Sequence, residues 1–279
     1  MQKDSIFKND LGEKFSFSKE VASVFDDMLP RSVPYYNDNI ALIAELLSGR
    51  RAICDLGCST GNLLLFLAQN LNCEILCGVD NSAPMLEIAK AKANAYGAKI
   101  DFIKANILEF FTLDSAENKK TNSSIVSEKS GLRSHEQGNR TNGSLTKRVA
   151  SLHDLSPQDE FDAIISNYTM QFIRPPKRES LCKKIYENLQ KNGIFIMSEK
   201  LVSEDKWLDK RLIDIYHNFK ARNGYSKTEI SKKREALENV LIPFSQSENI
   251  AMLENAGFRV VEVVFRFGNF ATFIALKGA

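Results

Sequence analysis

The chain has 279 residues, of which 43% are hydrophobic and 26% charged, and its formal net charge is +2. This composition is sufficient for a substantial core, and the near-neutral charge gives no support to a surface that attracts nucleic acid, so we expect no direct nucleic-acid partner. No segment approaches the roughly 20 apolar residues of a membrane span, and we expect no membrane association.

Two short helices are predicted ahead of the first strand. Apolar residues recur at helical spacing over residues 18–28, and this helix is expected to end before Pro30, because the residue preceding a proline avoids helical geometry. Tyr35 and Tyr36 lie in a turn before the second helix, which is predicted over 38–47. These tyrosines either contact a ligand beneath a helical lid or only pack the corner between the helices.

A loop of small residues, Asp55-Leu-Gly-Cys-Ser-Thr-Gly61, joins the first predicted strand to the helix that follows it. Such a turn lets the backbone approach a ligand closely, and the helix N-terminus offers unpaired N–H groups. The spacing of Gly57 and Gly61 departs from the G-x-G-x-x-G pattern of dinucleotide sites. Asp55 would repel a phosphate but can hold a cationic amino group. The loop therefore favours S-adenosylmethionine over NAD, and it resembles the first motif of class I S-adenosylmethionine-dependent methyltransferases, with Ser59 where a middle glycine is common.

Strands and helices alternate after this loop, which indicates a parallel sheet with helices on both faces. The predicted strands are 52–57, 74–79 and 100–104, and the helices between them are 61–70 and 83–96. Asp80 follows the second strand, about 20 residues beyond the loop, where a carboxylate can bind both ribose hydroxyls. Its alternative role is a helix cap, for which Ser82 is already placed. Asn106 and Ile107 follow the third strand, where this fold presents a side chain and a backbone N–H to adenine; the alternative for Asn106 is a loop residue without a ligand.

Residues 113–159 are rich in Ser, Asn, Lys, Glu and Gly and show no sustained hydrophobic period. This composition predicts a disordered insertion rather than a further domain. Its Lys and Arg side chains could contact RNA, but a solvated loop is the simpler interpretation.

The second half of the chain is predicted to complete the sheet. Strands are predicted over 161–166, 194–199, 258–265 and 269–276, and the last two form an antiparallel hairpin. Asn167 stands at the carboxyl end of the fourth strand, so it lies on the floor of the reaction site. The Asn-Pro-Pro-aromatic tetrapeptide of amino-methylating enzymes is absent at this point, which argues against N-methylation. A helix opens at Pro175 and is predicted to reach about residue 190.

A helical insertion over 204–240 precedes the last two strands and carries many charges. Lys232, Lys233 and Arg234 point to different faces of their helix at about 100° per residue, and a solvated charged face is the default interpretation. An arginine turned inward from this insertion would meet the pocket and bind a carboxylate bidentately, which would indicate an anionic substrate or cofactor. His217 can serve as a general base, although a position on the helix surface is its more ordinary role.

Five cysteines, an odd number, lie in apolar runs at Cys54, Cys58, Cys73, Cys77 and Cys182. We interpret them as reduced core thiols of a cytoplasmic protein. The pair Cys73 and Cys77 is too widely spaced for a redox C-x-x-C motif, and we expect no metal.

Together the elements predict an α/β, Rossmann-like class I methyltransferase fold. It has a doubly wound, mostly parallel seven-stranded sheet with an antiparallel C-terminal hairpin. We divide the chain into an N-terminal helical lid segment over 1–48 and an S-adenosylmethionine-binding domain over 49–279, which contains the insertions at 113–159 and 204–240.

Several further segments resemble one family, the carboxy-S-adenosyl-L-methionine synthases. The most specific are Arg-Ser-Val-Pro at 31–34 and Lys-Arg-Glu-Ala-Leu-Glu-Asn-Val at 233–240. Supporting segments lie at 25–36, 78–85, 167–172, 198–200 and 223–226. The resemblance covers nearly the whole chain outside the first 15 residues and the 113–159 insertion.

The resemblance implies an enzyme for which S-adenosylmethionine is a substrate. Prephenate loses its carboxyl group to give phenylpyruvate, and that carboxyl is attached to the sulfonium methyl, which gives carboxy-S-adenosylmethionine. A sulfonium stabilises an adjacent carbanion, so no metal is required. A separate enzyme then uses this carboxymethyl donor to modify the wobble uridine of tRNA.

The family's ligand positions fall on Tyr36, Gly57, Cys58, Ser59, Asp80, Asn81, Asn106, Ile107, Asn167 and Arg234. The resemblance implies that Arg234 pairs with the new carboxylate and is lent by the neighbouring subunit of a homodimer, to which the 204–240 insertion would contribute. Arg234 and Tyr36 are the candidate catalytic residues, and Asp55 joins the cofactor-binding set. Asn106 replaces the aspartate that is common at its position.

Two other functions stay open at this point. One is a conventional S-adenosylmethionine-dependent methyltransferase for a small anionic acceptor. The other is a non-catalytic protein that binds the cofactor or tRNA, and the lack of a basic stripe with interleaved aromatic residues counts against tRNA binding.

Overall fold

The computed structural model describes residues 3–8, 15–112 and 161–278, so the predicted insertion over 113–159 lies outside the described residues. Seven strands form one sheet in the order β3-β2-β1-β4-β5-β7-β6. Their bounds are β1 Ala52–Leu56, β2 Ile75–Asp80, β3 Asp101–Lys104, β4 Phe161–Asn167, β5 Leu189–Lys200, β6 Val260–Phe267 and β7 Phe270–Leu276. The first five pair in parallel, and β7 lies antiparallel between β5 and β6. The predicted sheet and its C-terminal hairpin are confirmed.

Helices cover both faces of the sheet in the described part of the chain. Their bounds are α1 Lys19–Ser32, α2 Tyr36–Leu46, α3 Asn62–Asn70, α4 Ala83–Tyr96, α5 Pro175–Glu187, α6 Lys206–Arg222, α7 Lys227–Ala236 and α8 Gln246–Asn255. Among the described residues, no helix combines the length and the apolar character that crossing a membrane requires.

Helices α1 and α7 end at other residues than the sequence predicted. Helix α1 continues past Pro30 to Ser32, where the N–H of Val33 bonds to the carbonyl of Leu29 at 2.7 Å and ends the helix. A proline lacks its own N–H and usually breaks a helix interior, but here only two helical residues follow it. Helix α7 stops at Ala236 instead of reaching 240, because turn geometry, including a positive φ at Asn239, follows it.

Helix α8 was not predicted. It begins with a capping box, in which the Ser245 side chain accepts from the Glu248 N–H and the Glu248 carboxylate accepts from the Ser245 N–H. This Ser-x-x-Glu spacing is the sequence signal that indicates the helix start.

The core lies in two layers, one on each face of the sheet. One contains Phe195 and Phe273 against α5 and α8, and the other contains Ile53 and Ile196 against α2 and α3. A smaller cluster joins α1 to Phe7, which is 1% exposed. This arrangement leaves the carboxyl edge of the parallel strands free to form a cavity below the N-terminal helices.

Candidate functional site

A cavity of about 770 Å³ lies at the carboxyl edge of the sheet. Its walls come from the ends of β1 to β5, from the N-terminal helices and from α6 and α7. The cavity brings together all the candidate residues named from the sequence: Tyr36, Asp55, Gly57, Cys58, Ser59, Asp80, Asn81, Asn106, Ile107, Asn167 and Arg234. Most of them lie at or just after the carboxyl ends of parallel strands, which meet at one edge, whereas helices α2 and α7 bring Tyr36 and Arg234 to the cavity.

The glycine loop is held in a tight left-handed path. Gly57 has a φ of 82°, and a Cβ atom built there would lie 2.3 Å from both Cγ2 and Oγ1 of Thr169. Ser59 also has a positive φ, of 49°. The N–H groups of Gly57 and Cys58 bond to the carbonyl of Val79 on the neighbouring strand, at 2.7 and 3.1 Å. Only glycine fits at position 57, because both its φ and the neighbouring threonine exclude a side chain.

Asp80 is fixed by backbone donors on two sides. Its Oδ2 accepts the Ser59 N–H at 2.9 Å, and its Oδ1 accepts the Ser82 N–H at 2.8 Å. The cap of α4 is Ser82, whose hydroxyl accepts from the Met85 N–H, so the cap is not Asp80. Burial raises the pKa of Asp80, while these hydrogen bonds oppose the rise. A carboxylate oriented in this way at the cavity wall can still accept ribose hydroxyls with its remaining lone pairs.

Asn106 uses its side-chain carbonyl within its own loop. Its Oδ1 accepts the Leu108 N–H at 3.1 Å, which forms a local turn. The side-chain oxygen of Asn106 is therefore already engaged, and one lone pair remains for an adenine edge. Ile107 beside it is buried and also lines the cavity.

Asp55 presents an unsatisfied carboxylate oxygen to the cavity. The residue is 2% exposed, and its Oδ1 has no hydrogen-bond partner among the described residues. Burial, and after it the charge of Asp80, raises the pKa of Asp55 to about 8. The Oδ1 of Asn167 is also buried without a partner in the described residues. Orphaned acceptors of this kind fit a ligand that brings cationic or N–H groups, as S-adenosylmethionine does.

Tyr35 and Tyr36 separate the two roles that the sequence left open. Tyr35 is 52% exposed, packs edge-on against Phe267 at the end of β6 and is not part of the cavity lining. Tyr36 is buried and lines the cavity. Burial, and then the nearby Asp55, raises the pKa of Tyr36, which keeps its hydroxyl protonated as a donor.

The N-terminal helix α1 is tied to the glycine loop by Asp26. Its carboxylate accepts from the Thr60 hydroxyl at 2.5 Å, from the Asn62 amide at 2.9 Å and from the Lys92 ammonium at 2.8 Å. Sequence reasoning missed this cluster, because the residues come from three elements and no local pattern joins them. The contacts hold the predicted lid segment on the cavity.

A group of cations also lines the cavity, away from Asp55 and Asp80: Lys200, Lys220, Lys233 and Arg234, with the exposed carboxylates of Glu235 and Glu238 beside the last of them. Lys220 and Lys233 are 4% and 7% exposed, and Lys233 donates to the Ser32 hydroxyl at 2.8 Å. Arg234 is exposed, yet it lies on the cavity wall formed by its own chain. His217 also lines the cavity, and burial, followed by the Lys220 charge, lowers its pKa. The sequence identified Arg234 but missed Lys200 and Lys220.

No group of three or more His, Cys, Asp or Glu side chains that could hold a metal ion occurs in the part of the chain that the structure describes.

Comparison with solved structures shows the fold. A putative O-methyltransferase from Nostoc punctiforme matches with a TM-score of 0.55 and 16% identity, over 93% of this chain and 59% of that chain. Human N-acetylserotonin methyltransferase, solved in complex with S-adenosylmethionine, matches with a TM-score of 0.53 and 16% identity, over 94% and 56%. This chain thus spans somewhat over half of each structure, and it has the class I methyltransferase fold.

Comparison with family models and curated proteins identifies the family. A family model described as a methyltransferase domain matches residues 53–122. Carboxy-S-adenosyl-L-methionine synthase from Campylobacter jejuni strain 81-176 is 46% identical over 99% of both chains. The enzyme of the same name from Nautilia profundicola is 46% identical over 98% of this chain and 99% of its own. At this identity and coverage, the chain belongs to the carboxy-S-adenosyl-L-methionine synthase family.

Proposed function

We propose that the chain converts S-adenosylmethionine and prephenate into carboxy-S-adenosylmethionine and phenylpyruvate. The observation that carries this proposal is a single cavity lined both by the buried carboxyl groups of Asp55 and Asp80 and by the cations Lys200, Lys220, Lys233 and Arg234. A cationic sulfonium compound suits the carboxyl groups, and a dicarboxylate suits the cations. A conventional methyltransferase is not favoured, because the relatives at 44–46% identity carry the synthase name.

The cofactor's parts are assigned along the strand ends. In this proposal Asp80 and Asn81 hold the ribose, Asn106 and Ile107 hold the adenine, and the glycine loop of Gly57, Cys58 and Ser59 lies against the methionine part. Asp55 and Asn167 bind its amino group, and Tyr36 donates to the bound ligand. The proposal is supported by the buried, unpartnered oxygens of Asp55 and Asn167.

The reaction balances without a metal or an oxidant. Prephenate gives up its ring carboxyl and its ring hydroxyl, and the ring becomes aromatic as phenylpyruvate forms. The methyl group loses one proton and gains the carboxyl, while that proton and the released hydroxyl leave as water. When bound, S-adenosylmethionine supplies the acidity of this methyl through its sulfonium charge. The chain's part is to exclude bulk water beneath α1 and to hold the two reactants together.

Arg234 is proposed to pair with the transferred carboxylate. A guanidinium binds a carboxylate through two parallel hydrogen bonds, and it stays charged at any working pH. We further propose a homodimer in which Arg234 is lent by the neighbouring subunit. Helix α6, beside α7, exposes Trp207, Leu208 and Ile215, with 70% of Trp207 accessible, and such an apolar surface is typical of an interface.

We place the reaction in the cytoplasm and propose that a separate enzyme consumes the product to modify the tRNA wobble uridine. All five cysteines are free thiols, which is consistent with a reducing compartment.

Incubation with S-adenosylmethionine and prephenate tests the reaction directly. Mass spectrometry should detect the mass of one carbon dioxide added to the cofactor, together with phenylpyruvate. Prephenate labelled with ¹³C in its ring carboxyl should pass the label to the cofactor, and omission of prephenate is the control. Methylated acceptor without carboxylated cofactor would instead identify a conventional methyltransferase.

A further inference from the structure

The cavity carries carboxyl groups and cations in different parts of its wall. Asp55 belongs to β1 and Asp80 ends β2, whereas Lys200 ends β5. The sheet order places β4 between β1 and β5. The register sets Asp55 level with Ile196 of β5, so Lys200 lies two strands across and four residues further along, roughly 16 Å from Asp55. The carboxyl groups are accounted for by a cationic ligand, and the cations call for a separate anion.

Lys200 and Lys220 both place their ammonium groups on the ring of Tyr216. The distances to the ring centroid are 5.0 Å for Lys200 and 4.4 Å for Lys220. Lys220 is almost fully buried, and Lys200 is half-buried. Within the described residues, the ion pairs closer than 4.0 Å all join other side chains. The two lysines are therefore contacted by an aromatic face but not by a carboxylate.

Several positively charged side chains lie near Lys220. Burial, and after it the charges of Lys233, Lys200 and Arg234, lowers the pKa of Lys220 to about 7. Burial also lowers the pKa of Lys200, and the charge of Asp209 opposes this shift. Lys233 differs, because it bonds to Ser32 and lies in the field of Asp4. Buried cations without a counter-charge are unfavourable, so an anion that enters between Lys200 and Lys220 is strongly stabilised.

We propose that Lys200 and Lys220 bind the carboxylate that the second substrate retains, the one that leaves with phenylpyruvate. The proposal rests on the proposed function, in which Arg234 takes the other carboxylate, the one that is transferred. Separate cations for the two carboxylates hold the dianionic carboxyl donor at both ends and decide which carboxylate faces the methyl group. Ile213 and Phe270, which line the same cavity, provide apolar surface for its ring.

Binding without turnover tests this assignment. The protein is loaded with S-adenosylhomocysteine, which lacks the methyl group, and is then titrated calorimetrically with prephenate or phenylpyruvate. Lys220→Met and Lys200→Met are expected to weaken both ligands by roughly tenfold or more, as the loss of a charge-assisted contact predicts. The affinity of the same variants for carboxy-S-adenosylmethionine should stay within about threefold of wild type, since its carboxylate pairs with Arg234.

Two further variants separate the two carboxylate sites. Arg234→Ala is expected to weaken prephenate and carboxy-S-adenosylmethionine while leaving phenylpyruvate unchanged. Lys210→Met removes an exposed lysine from the same helix as Lys220 and should change none of the affinities. Lys220→Met should also raise the melting temperature, because methionine replaces a buried cation that has no counter-charge.

Each outcome decides for or against the site. Unchanged phenylpyruvate affinity in folded Lys220→Met and Lys200→Met proteins would overturn the assignment, even if the carboxylation reaction proceeds. Inorganic phosphate that competes as strongly as phenylpyruvate would overturn it as well, since the lysines would then attract any anion. If phenylpyruvate binding depends on the two lysines but the protein forms no carboxylated product, the site is supported and the proposed function is refuted.

Discussion

Asp26 in helix α1 accepts a hydrogen bond from Thr60 in the glycine loop, with 2.5 Å between Oδ1 and Oγ1. The same carboxylate pairs with Lys92 of α4 at 2.8 Å. The helix that covers the cavity is thus attached to the loop that forms its floor. Ordering of the loop by a ligand and docking of the helix are expected to stabilise each other.

Replacement of Asp26 by alanine should loosen this attachment. The change removes three hydrogen bonds and leaves Lys92 without its counter-charge, so we expect a loss of roughly 1–3 kcal/mol in unfolding free energy and weaker binding of S-adenosylhomocysteine. Urea denaturation and calorimetry measure the two effects. Asp38→Ala removes an exposed carboxylate from α2 and serves as the control, with a loss under about 1 kcal/mol. Equal effects of the two variants would contradict a specific role for Asp26.

Gly57→Ala should destabilise the protein far more than Gly49→Ala. The two glycines have nearly the same φ, 82° and 81°, so both substitutions carry the same left-handed strain of about 1–2 kcal/mol. A Cβ at Gly57 collides with Thr169, whereas one at Gly49 meets nothing within 4 Å. The difference between the two unfolding free energies isolates the collision, and we expect it to exceed about 1 kcal/mol. Equal losses would show that Thr169 moves aside.

The sequence predicted the sheet because its signals are local. Apolar strands, helical periodicity and the small residues from Gly57 to Gly61 all lie within a few positions of one another, and the fold then brings the strand ends together. Asp80 and Asn167 could be assigned to the site for the same reason, since a position directly after a parallel strand fixes a residue at the carboxyl edge.

The parts that the sequence missed depend on contacts between distant segments. Asp26 meets Thr60 across 34 positions, and nothing around either residue indicates the other. Lys200 and Lys220 stand on a strand and on a helix, and only their shared contact with Tyr216 shows that they form a pair. Charged residues in a predicted helix are usually solvated, so sequence alone gives no reason to bury Lys220.

The pKa of Asp55 predicts a pH effect on ligand binding. The native carboxyl, with a pKa of about 8, holds a proton that the unfolded chain releases near pH 4, so the unfolding free energy of the free protein should fall as pH rises from about 4 to 8. The cationic amino group of a bound ligand would favour the ionised form of the Asp55 carboxyl. Binding of S-adenosylhomocysteine should therefore release a proton at pH 7 and tighten as pH rises towards 8.

Calorimetry in two buffers with different ionisation enthalpies measures this proton. Asp55→Asn should abolish the release and flatten the rise in affinity with pH. Glu199 is also buried, with a pKa raised to about 8, but it does not line the cavity, so Glu199→Gln should leave the proton release intact while reducing the pH dependence of stability. Proton release that persists in Asp55→Asn would assign the effect to another group.

Arg234→Ala should distinguish the two forms of the cofactor. The variant loses a charge-assisted contact with the added carboxylate, so its affinity for carboxy-S-adenosylmethionine should fall by roughly 1–3 kcal/mol, with little change for S-adenosylmethionine.

A mixed-dimer experiment tests which subunit supplies Arg234 to a given site, because this exposed residue also lines the cavity of its own chain. Arg234→Ala chains are mixed and refolded with Asp80→Ala chains, each of which should be inactive alone. A mixed dimer regains one complete site only if arginine is lent across the interface, and we expect this recovery. No recovery in confirmed mixed dimers would show that Arg234 serves its own chain.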